Sequence, residues 1–255
     1  RVSVVSNCMR DRVAKVSIPQ LWEVPDEFRR RLGERVGRQR AMFHDEHLLL
    51  VLHQPPQPDQ DDRQAALFWR DAQGHWMSTM PGSGLGSLRQ LLTDYEQSID
   101  KLESAEQQAK SAAEYFAVIE RIAPLLRSVR NLHGVLQEAR RLVESDRDLI
   151  NLRDTAYDLE RRGELLDTGT RSGLEYAIAL RAEEQAQSSQ RMAVASHRLN
   201  LLAAFFFPLA TLSAVFGVNL QFGLENRPGP WPFLVVMGVG LLMGVFLTSI
   251  IAPRR

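Results

Sequence analysis

Residues 199–219 read LNLLAAFFFPLATLSAVFGVN, and this stretch decides the fold. It carries no ionisable side chain, and about 20 residues at about 1.5 Å rise each are enough to cross about 30 Å of hydrocarbon. Residues 231–252 form a second charge-free stretch of similar length. Two adjacent stretches of this kind would need a very large surrounding core in a soluble protein. We therefore predict a two-helix membrane hairpin over residues 199–255, with an outer loop at 220–230.

The distribution of basic residues predicts how this hairpin is oriented. The loop at 220–230 holds one arginine and one glutamate. Basic residues cluster instead before the first stretch and after the second, at Arg191, His197, Arg198, Arg254 and Arg255. Because basic residues favour the cytoplasmic side of a membrane, both termini are predicted to lie in the cytoplasm and the loop outside.

Upstream of the hairpin the sequence has the pattern of long helices. Apolar residues recur every three or four positions from 88 to 119, which predicts one amphipathic helix. Pro124 is expected to interrupt it, with a second helix following over 125–143. The pattern resumes after Asp146, and no turn residue separates 174–199 from the first membrane stretch. We predict a coiled-coil stalk helix of about 105 Å over 146–216. If this helix is interrupted, the glycines at 163, 169 and 173 are the expected positions.

The first 80 or so residues have a different texture. Strands are predicted at 2–5, 47–52 and 65–69 and a helix at 21–40, with a turn-rich segment at 54–59. The fold class is thus an α+β membrane protein. It has a small α/β cytoplasmic domain at 1–86, a cytoplasmic helical and stalk region at 87–198, and the hairpin at 199–255.

Several polar motifs are better explained by structure than by chemistry. His44-Asp45-Glu46-His47, near His53, contains metal-ligand residue types but is interpreted as a solvated turn before a strand. The glycine-rich run at 82–87 lacks the Gly-Lys-Ser/Thr of a phosphate loop, so a flexible junction with a helix N-cap is favoured. His133 stands alone on a helical stretch, which favours a structural role.

Composition narrows the function classes further. The 31 Lys and Arg residues balance 31 Asp and Glu residues and are interleaved with them along the helices, a pattern typical of solvated faces and not of a nucleic-acid partner. The single cysteine, Cys8, excludes a disulfide within the chain and a cysteine-based zinc site. No nucleophile–base arrangement stands out, and we predict no enzyme activity.

The tripeptide Gly217-Val218-Asn219 gains meaning from its position at the end of the first membrane stretch. Glycine there lets backbones approach closely and exposes carbonyl oxygens, and asparagine adds a neutral oxygen ligand at the membrane rim. Several copies around an axis would form a ring of oxygens suited to a hard cation such as Mg²⁺, held through its water shell. The alternative is a plain glycine helix cap followed by a polar turn residue.

The sequence resembles the CorA-type magnesium channel family, also called the two-transmembrane GxN family. The resemblance rests on Arg198-Leu199-Asn200, Phe207-Pro208-Leu209 and Phe216-Gly217-Val218-Asn219, and on Arg153 to Asp158 near the start of the stalk. It implies a homopentamer in a bacterial plasma membrane that passes Mg²⁺, or Co²⁺ or Ni²⁺, inward. It also implies that Asp154 or Asp158 binds a regulatory metal between cytoplasmic domains.

The same resemblance implies which residues line the pore. Carried over by position, the lining side chains are those of Ser196, Leu199, Ala203, Phe207, Ala210 and Ala214, with Gly217, Val218 and Asn219 as the entry ring. The steps of three and four between them match one face of a helix. Leu199 and Phe207 would form apolar constrictions that gate by dewetting.

Three departures from the family pattern keep alternatives open. Val218 stands where the family usually has Met. The zinc-transporting ZntB-type branch also has another residue than Met at this position, so a Zn²⁺ transporter, with or without proton coupling, is the first alternative. Glu225 is the only acid of the outer loop and lies close to Arg227, which predicts weak cation recruitment. The N-terminal region is short for the family. A membrane-anchored coiled-coil scaffold or sensor that passes no ion is the alternative from another class.

Overall fold

A computed structural model of the chain describes residues 17–33, 35–57, 64–217 and 231–251. The elements follow one another as α1 (Asp26–Arg31), β1 (Arg40–His44), β2 (His47–His53), β3 (Ala65–Arg70), β4 (Trp76–Ser78), α2 (Gly84–Gln108), α3 (Ala112–Leu142), α4 (Arg147–Gly217) and α5 (Trp231–Ile251). The chain separates into two compact units, Arg1–Ile178 and Ala179–Arg255, and α4 contributes residues to both. The domain boundaries at 86 and 198 stay predictions.

The four described strands form one antiparallel sheet in the order β1-β2-β3-β4. Strand β2 is buried on both faces. Its alternate residues Leu48, Leu50 and Leu52 pack into a core shared with α2, α3 and α4, whereas Leu49 and Val51 pack against Trp22, Phe28 and Trp69 on the other side. Such alternation follows from the two-residue period of a strand. The predicted strands at 47–52 and 65–69 are confirmed, and the predicted strand at 2–5 lies outside the described residues.

The predicted helix over 21–40 is wrong for most of its length. Only Asp26–Arg31 is helical, and the chain from residue 40 onward is already in strand β1. Pro25 stands directly before the short helix, where its fixed φ is tolerated. Glycines at 33 and 37 follow it and favour an irregular segment.

The turn between β1 and β2 is made by two acidic residues. Asp45 and Glu46 have φ angles of +47° and +64°, the left-handed geometry of a type I′ hairpin turn. His44 and His47 are partners at its two ends. His44 Nε2 lies 3.2 Å from Asp45 Oδ2, and the His47 ring stacks on Trp69 with 5.6 Å between the ring centroids. The interpretation of this motif as a turn before a strand is confirmed.

Helix α2 is fixed to the sheet and to α3 by a buried tyrosine. Tyr95 Oη donates a hydrogen bond to the carbonyl oxygen of His53 at 2.9 Å and lies 2.6 Å from Ser128 Oγ. Burial raises the pKa of the Tyr95 hydroxyl well above its ordinary value, so it remains a donor. Three elements therefore meet at one satisfied polar group inside an otherwise apolar core.

The break between α2 and α3 falls earlier than the periodicity predicts. Residues 109–111 separate the two helices, and Pro124, the predicted interruption, lies inside α3. A capping box starts α3: Ser111 Oγ accepts from Glu114 N at 3.3 Å, and Glu114 Oε2 accepts from Ser111 N at 2.9 Å. Pro124 forfeits one helical hydrogen bond, and the buried side chains of neighbouring Ile122 and Leu125 hold that turn in place.

The start of α4 is held by one carboxylate with two roles. Asp146 Oδ1 accepts hydrogen bonds from the backbone N–H groups of Asp148 at 2.9 Å and Leu149 at 3.4 Å, which caps the helix. Its other oxygen, Oδ2, lies 2.8 Å from Nε of Arg70 on β3, and both side chains are largely buried. The first turn of the long helix is thereby tied to the sheet.

Further along, Arg162 ties α4 to α2. Its guanidinium lies 2.6 Å from Asp100, 2.9 Å from Glu103 and 3.5 Å from Glu96. Hydrogen bonds to Glu103 and Asp100 raise the pKa of Arg162 above its already high value, so the cation is permanent. This network fixes the relative positions of α2 and the first part of α4.

Helix α4 is continuous over 71 residues, about 107 Å at about 1.5 Å per residue. The stalk predicted to run into the membrane stretch is confirmed as one helix, and its glycines do not break it. Two of them allow α3 to approach closely. A Cβ at Gly173 would lie 2.5 Å from the ring of Tyr115, and one at Gly163 would lie 3.0 Å from Leu126 Cδ1, whereas one at Gly169 would meet nothing within 4 Å.

The Asp146 cap gives a first prediction. We expect Asp146→Ala to lower the free energy of unfolding by about 3 kcal/mol or more, because it removes a cap and leaves a buried arginine without its partner. Asp146→Asn retains the capping oxygen and separates the two roles. The control is Asp148→Ala, which removes a more exposed ion pair with Arg89 and should cost less than about 1 kcal/mol. Denaturation of the full chain in detergent, followed by circular dichroism, measures all three. Equal losses at 146 and 148 would contradict the assignment.

The stalk glycines give a second prediction with a matched pair. We expect Gly169→Ala to raise the stability by up to about 1 kcal/mol, since alanine favours a helix and the site is open. Gly173→Ala should lose that gain and destabilise the chain, because the new methyl group displaces the Tyr115 ring. Thermal unfolding of the two variants in one detergent compares them. A rise in melting temperature of the same size for both would refute close packing at residue 173.

Candidate cation-conducting face

Two glycines of α5 determine which side of α4 is covered. A Cβ at Gly240 would lie 3.0 Å from Leu209 Cδ1, and a Cβ at Gly244 would lie 2.6 Å from the carbonyl oxygen of Phe205. The glycines are four residues apart and so share one face of α5. Small residues at this spacing let two apolar helices approach to backbone contact. The contact face of α4 is therefore the one that carries Phe205, Leu209 and Leu212.

The face of α4 that the resemblance assigns to the pore lies on the opposite side. At about 100° per residue, the mean direction of the six lining positions is about 155° from that of the α5 contact face. All six side chains are exposed in the chain: Ser196, Leu199, Ala203, Phe207, Ala210 and Ala214. Leu199 is 66% exposed and Phe207 is 72% exposed. The residues that the sequence assigns to the pore thus share a face that no other described part of the chain covers.

Polar side chains in the apolar parts of α4 and α5 bond to their own helices. Pro208 is buried and lies within the helix, a position that membrane helices tolerate because neighbouring groups can satisfy the backbone that proline frees. One turn along, the hydroxyl of Thr211 donates to the carbonyl oxygen of Phe207 at 2.8 Å. On α5, the Thr248 hydroxyl donates to Gly244 at 3.0 Å. Polar side chains that bond to their own helix are compatible with an apolar surrounding.

The predicted entry ring is described only at its first residue. Gly217 is the last residue of α4. Val218, Asn219 and the outer-loop acid Glu225 lie outside the described residues, as do the terminal arginines. Their roles stay predictions.

By length and composition, α4 is the one described helix that is long and apolar enough to cross a membrane. The apolar stretch of α5, Leu234–Ser249, is shorter. The structure therefore supports one membrane-crossing helix, and the crossing of α5 stays a proposal.

The predicted regulatory carboxylates are exposed on α4. Asp154 and Asp158 are four residues apart and so lie on one face. Asp154 Oδ1 lies 2.7 Å from an Arg153 guanidinium nitrogen. Among the described residues, no group of three or more His, Cys, Asp or Glu side chains is arranged to hold a metal. A metal at these residues would need further ligands from elsewhere.

The histidines noted in the sequence belong to local contacts. His53 Nε2 lies 3.0 Å from the carbonyl oxygen of Gly37. His133 Nδ1 lies 2.6 Å from Glu160 Oε2, and its ring meets the edge of Tyr157. His133 thus joins α3 to α4, in agreement with the structural role predicted for it.

Sequence reasoning missed two features that position the candidate site. One is the Gly240 and Gly244 pair, although its G-x-x-x-G spacing is visible in the sequence. The other is the Arg162 network with α2, for which the sequence gives no signal, because its partners lie about 60 residues upstream.

Comparisons with known proteins bear on the family. A family model described as CorA-like Mg²⁺ transporter protein matches residues 27–252. Similar solved structures include the full-length CmaX protein, at 15% identity and a TM-score of 0.49, with 84% of this chain and 77% of that chain covered. They also include the CorA magnesium transporter from Methanocaldococcus jannaschii, at 13% identity and a TM-score of 0.40, with 84% and 78% covered. No curated protein sequence matches the chain.

The family match begins within α1 and reaches past the end of α5, so it includes the sheet, the stalk and both apolar helices. Proteins of this family carry divalent cations across membranes, and they do so as transporters and not as enzymes. The chain belongs to the CorA-like Mg²⁺ transporter family.

Proposed function

We propose that the chain assembles as a homopentamer and passes Mg²⁺ inward across a plasma membrane along the exposed face of α4. The observation that carries the proposal is the division of that helix into two sides. One side packs against the glycines of α5. The other carries Ser196, Leu199, Ala203, Phe207, Ala210 and Ala214, all exposed.

A single copy of this hairpin encloses no path, so conduction requires several copies around an axis. Leu199 and Phe207 each expose more than half of their surface in one chain. Lipid tails are as apolar as these side chains, so association of copies within the membrane would rest on close van der Waals packing between helices. Packing of five copies would bring these side chains to the axis, where they would form two apolar constrictions. The small side chains between them, at 203, 210 and 214, would leave a wider path.

At the outer end, Gly217, Val218 and Asn219 would form the entry ring, with Glu225 in the loop above it. Oxygen atoms from five asparagines would replace part of the second water shell of Mg²⁺, which releases its own first-shell waters reluctantly. The ring is neutral, so it would bind the hydrated ion by hydrogen bonding instead of by charge. The membrane potential would then drive entry, at about 2.3 kcal/mol per elementary charge per 100 mV.

Regulation by bound metal would need contacts between copies. Asp154 and Asp158 on one chain supply two carboxylates, and the described part of the chain adds no third ligand to them. A neighbouring copy in the pentamer would have to complete the site. Arg153, which pairs with Asp154 in the single chain, would compete with the metal for that carboxylate.

Zinc transport is the second candidate, and Val218 favours it. The family usually has methionine at the middle of the tripeptide, and the zinc-transporting ZntB-type branch also departs from methionine there. The surrounding fold is the same for both cations, so the preferred metal separates the candidates.

The test uses Asn219→Ala in proteoliposomes that hold a Mg²⁺-sensitive dye. We expect uptake to fall about tenfold or more, since a hydrogen bond to a charged species contributes about 1.5–3 kcal/mol. Asn226→Ala, which alters another asparagine in the outer loop, is the matched control and should retain uptake. Parallel assays with Co²⁺, Ni²⁺ and Zn²⁺, with and without a pH gradient, identify the metal.

Full uptake by Asn219→Ala would refute the role of the entry ring. Uptake of Zn²⁺ that depends on the pH gradient, with no Mg²⁺ uptake, would replace the magnesium assignment with the zinc one. No flux of any of the four metals from a well-folded pentamer would favour a scaffold or sensor that passes no ion.

A further inference from the structure

The apolar stretch of α4 and the segment directly before it carry almost no charge. From residue 185 to residue 224, the only formally charged side chains are Arg191 and Arg198. Both are exposed on α4. Within the described part of the chain, neither forms an ion pair or a hydrogen bond. Two unpaired guanidinium groups on a rigid helix are donors that await acceptors.

The two arginines lie on one face of the helix. They are seven positions apart, which leaves an angle of about 20° between their directions and about 10 Å along the helix axis. They border a shallow groove of about 490 Å³ whose remaining lining is neutral, formed by Gln187, Gln190, Val194 and Ala195. The groove thus combines two fixed positive charges with amide donors and a small apolar floor.

This basic groove is turned away from the proposed ion path. Its arginines point about 130° from the mean direction of the lining residues, toward the side of α4 that carries Phe205 and Leu209. A ring of guanidinium groups on the lining face would repel a permeating cation. The arginines therefore do not serve conduction, and in the proposed assembly they would lie on the side of α4 that faces away from the central axis.

We propose that this basic groove binds the phosphate headgroup of an anionic phospholipid. Arg198 directly precedes the first residue of the apolar stretch, Leu199, which places it at the depth of the headgroups. Arg191 is about 10 Å further from the hydrocarbon, where its guanidinium would meet the headgroup layer from the water side. Guanidinium groups match phosphate oxygens in geometry as well as in charge.

A lipid fits the groove better than a soluble phosphate does. The groove ends where the apolar stretch of α4 begins, and beside the strip that α5 covers this stretch exposes Leu202 and Phe206. The acyl chains of a lipid held in the groove would continue along these two side chains. A soluble anion would use only the polar end of this surface. The inference requires that α4 crosses a membrane, but not that the protein conducts an ion.

The test measures lipid binding by the full chain. Native mass spectrometry of the detergent-solubilised protein gives the apparent affinity for phosphatidylglycerol and for phosphatidylcholine. We expect Arg191→Gln/Arg198→Gln to weaken phosphatidylglycerol binding about 25-fold, since each basic residue near an anionic surface contributes about fivefold. Phosphatidylcholine binding should change little. Arg181→Gln, on the same helix but about 25 Å further from the interface than Arg198, is the matched control and should bind as the wild type does.

Arg191→Lys/Arg198→Lys keeps both charges and should retain most of the affinity, which also tests whether the glutamine variant has simply lost its fold. Inorganic phosphate at equal phosphate concentration should not displace the lipid. Equal phosphatidylglycerol binding by the wild type and the double glutamine variant would overturn the proposal. An equal loss in Arg181→Gln would overturn it too, and displacement by inorganic phosphate would assign the groove to a soluble anion.

Discussion

Helix α4 has to satisfy two different surroundings within 71 unbroken residues. Its first part packs apolar side chains such as Leu149, Leu152 and Leu159 into a core shared with the sheet, α2 and α3. Its last part carries no charge and exposes apolar side chains on most sides. The helix therefore needs firm attachment at its start and a defined partner near its end. The Asp146 cap with Arg70 supplies the first, and the glycines of α5 supply the second.

The contact with α5 makes the sides of α4 different from one another. Because Gly240 and Gly244 occupy one side, the opposite side is left for other copies of the chain, and the flanks are left for lipid. The unpaired arginines before the apolar stretch point about 130° away from the proposed lining face, toward the side of α4 that carries Phe205 and Leu209. The proposed lining positions thus carry no charge, and the two arginines lie in the groove proposed for a lipid headgroup.

The sequence predicted best what depends on composition over a long window. A charge-free stretch, a stalk without a turn residue and two apolar strands leave patterns that local exceptions do not hide. The sequence is a weaker guide where a single side chain determines where a helix begins or ends. The capping box of Ser111 and Glu114 is visible as Ser-x-x-Glu, yet the apolar period continues across residues 109–111 and conceals the break. Pro124 does not end the helix, because tertiary packing holds its turn in place.

Parts of the candidate site lay beyond sequence reasoning for a different reason. That Phe205 and Leu209 face α5 depends on contacts between residues more than 30 positions apart, which a single sequence does not reveal. The same is true of Arg162 and its three acidic partners on α2. The lining positions were assigned by the family resemblance, and their spacing of three and four residues places them on one face of a helix. Their exposure is a property of the folded chain that neither source contained.

Cross-linking between copies tests the central claim, that the exposed face of α4 meets its equivalents around an axis. In a Cys8→Ser background, Ala210→Cys places a thiol on the lining face and Leu209→Cys places one against α5. Oxidation of the full chain in membranes, followed by non-reducing electrophoresis, measures disulfide-linked dimers. The account predicts efficient dimers for Ala210→Cys and few for Leu209→Cys. Dimers from Leu209→Cys with none from Ala210→Cys would contradict it.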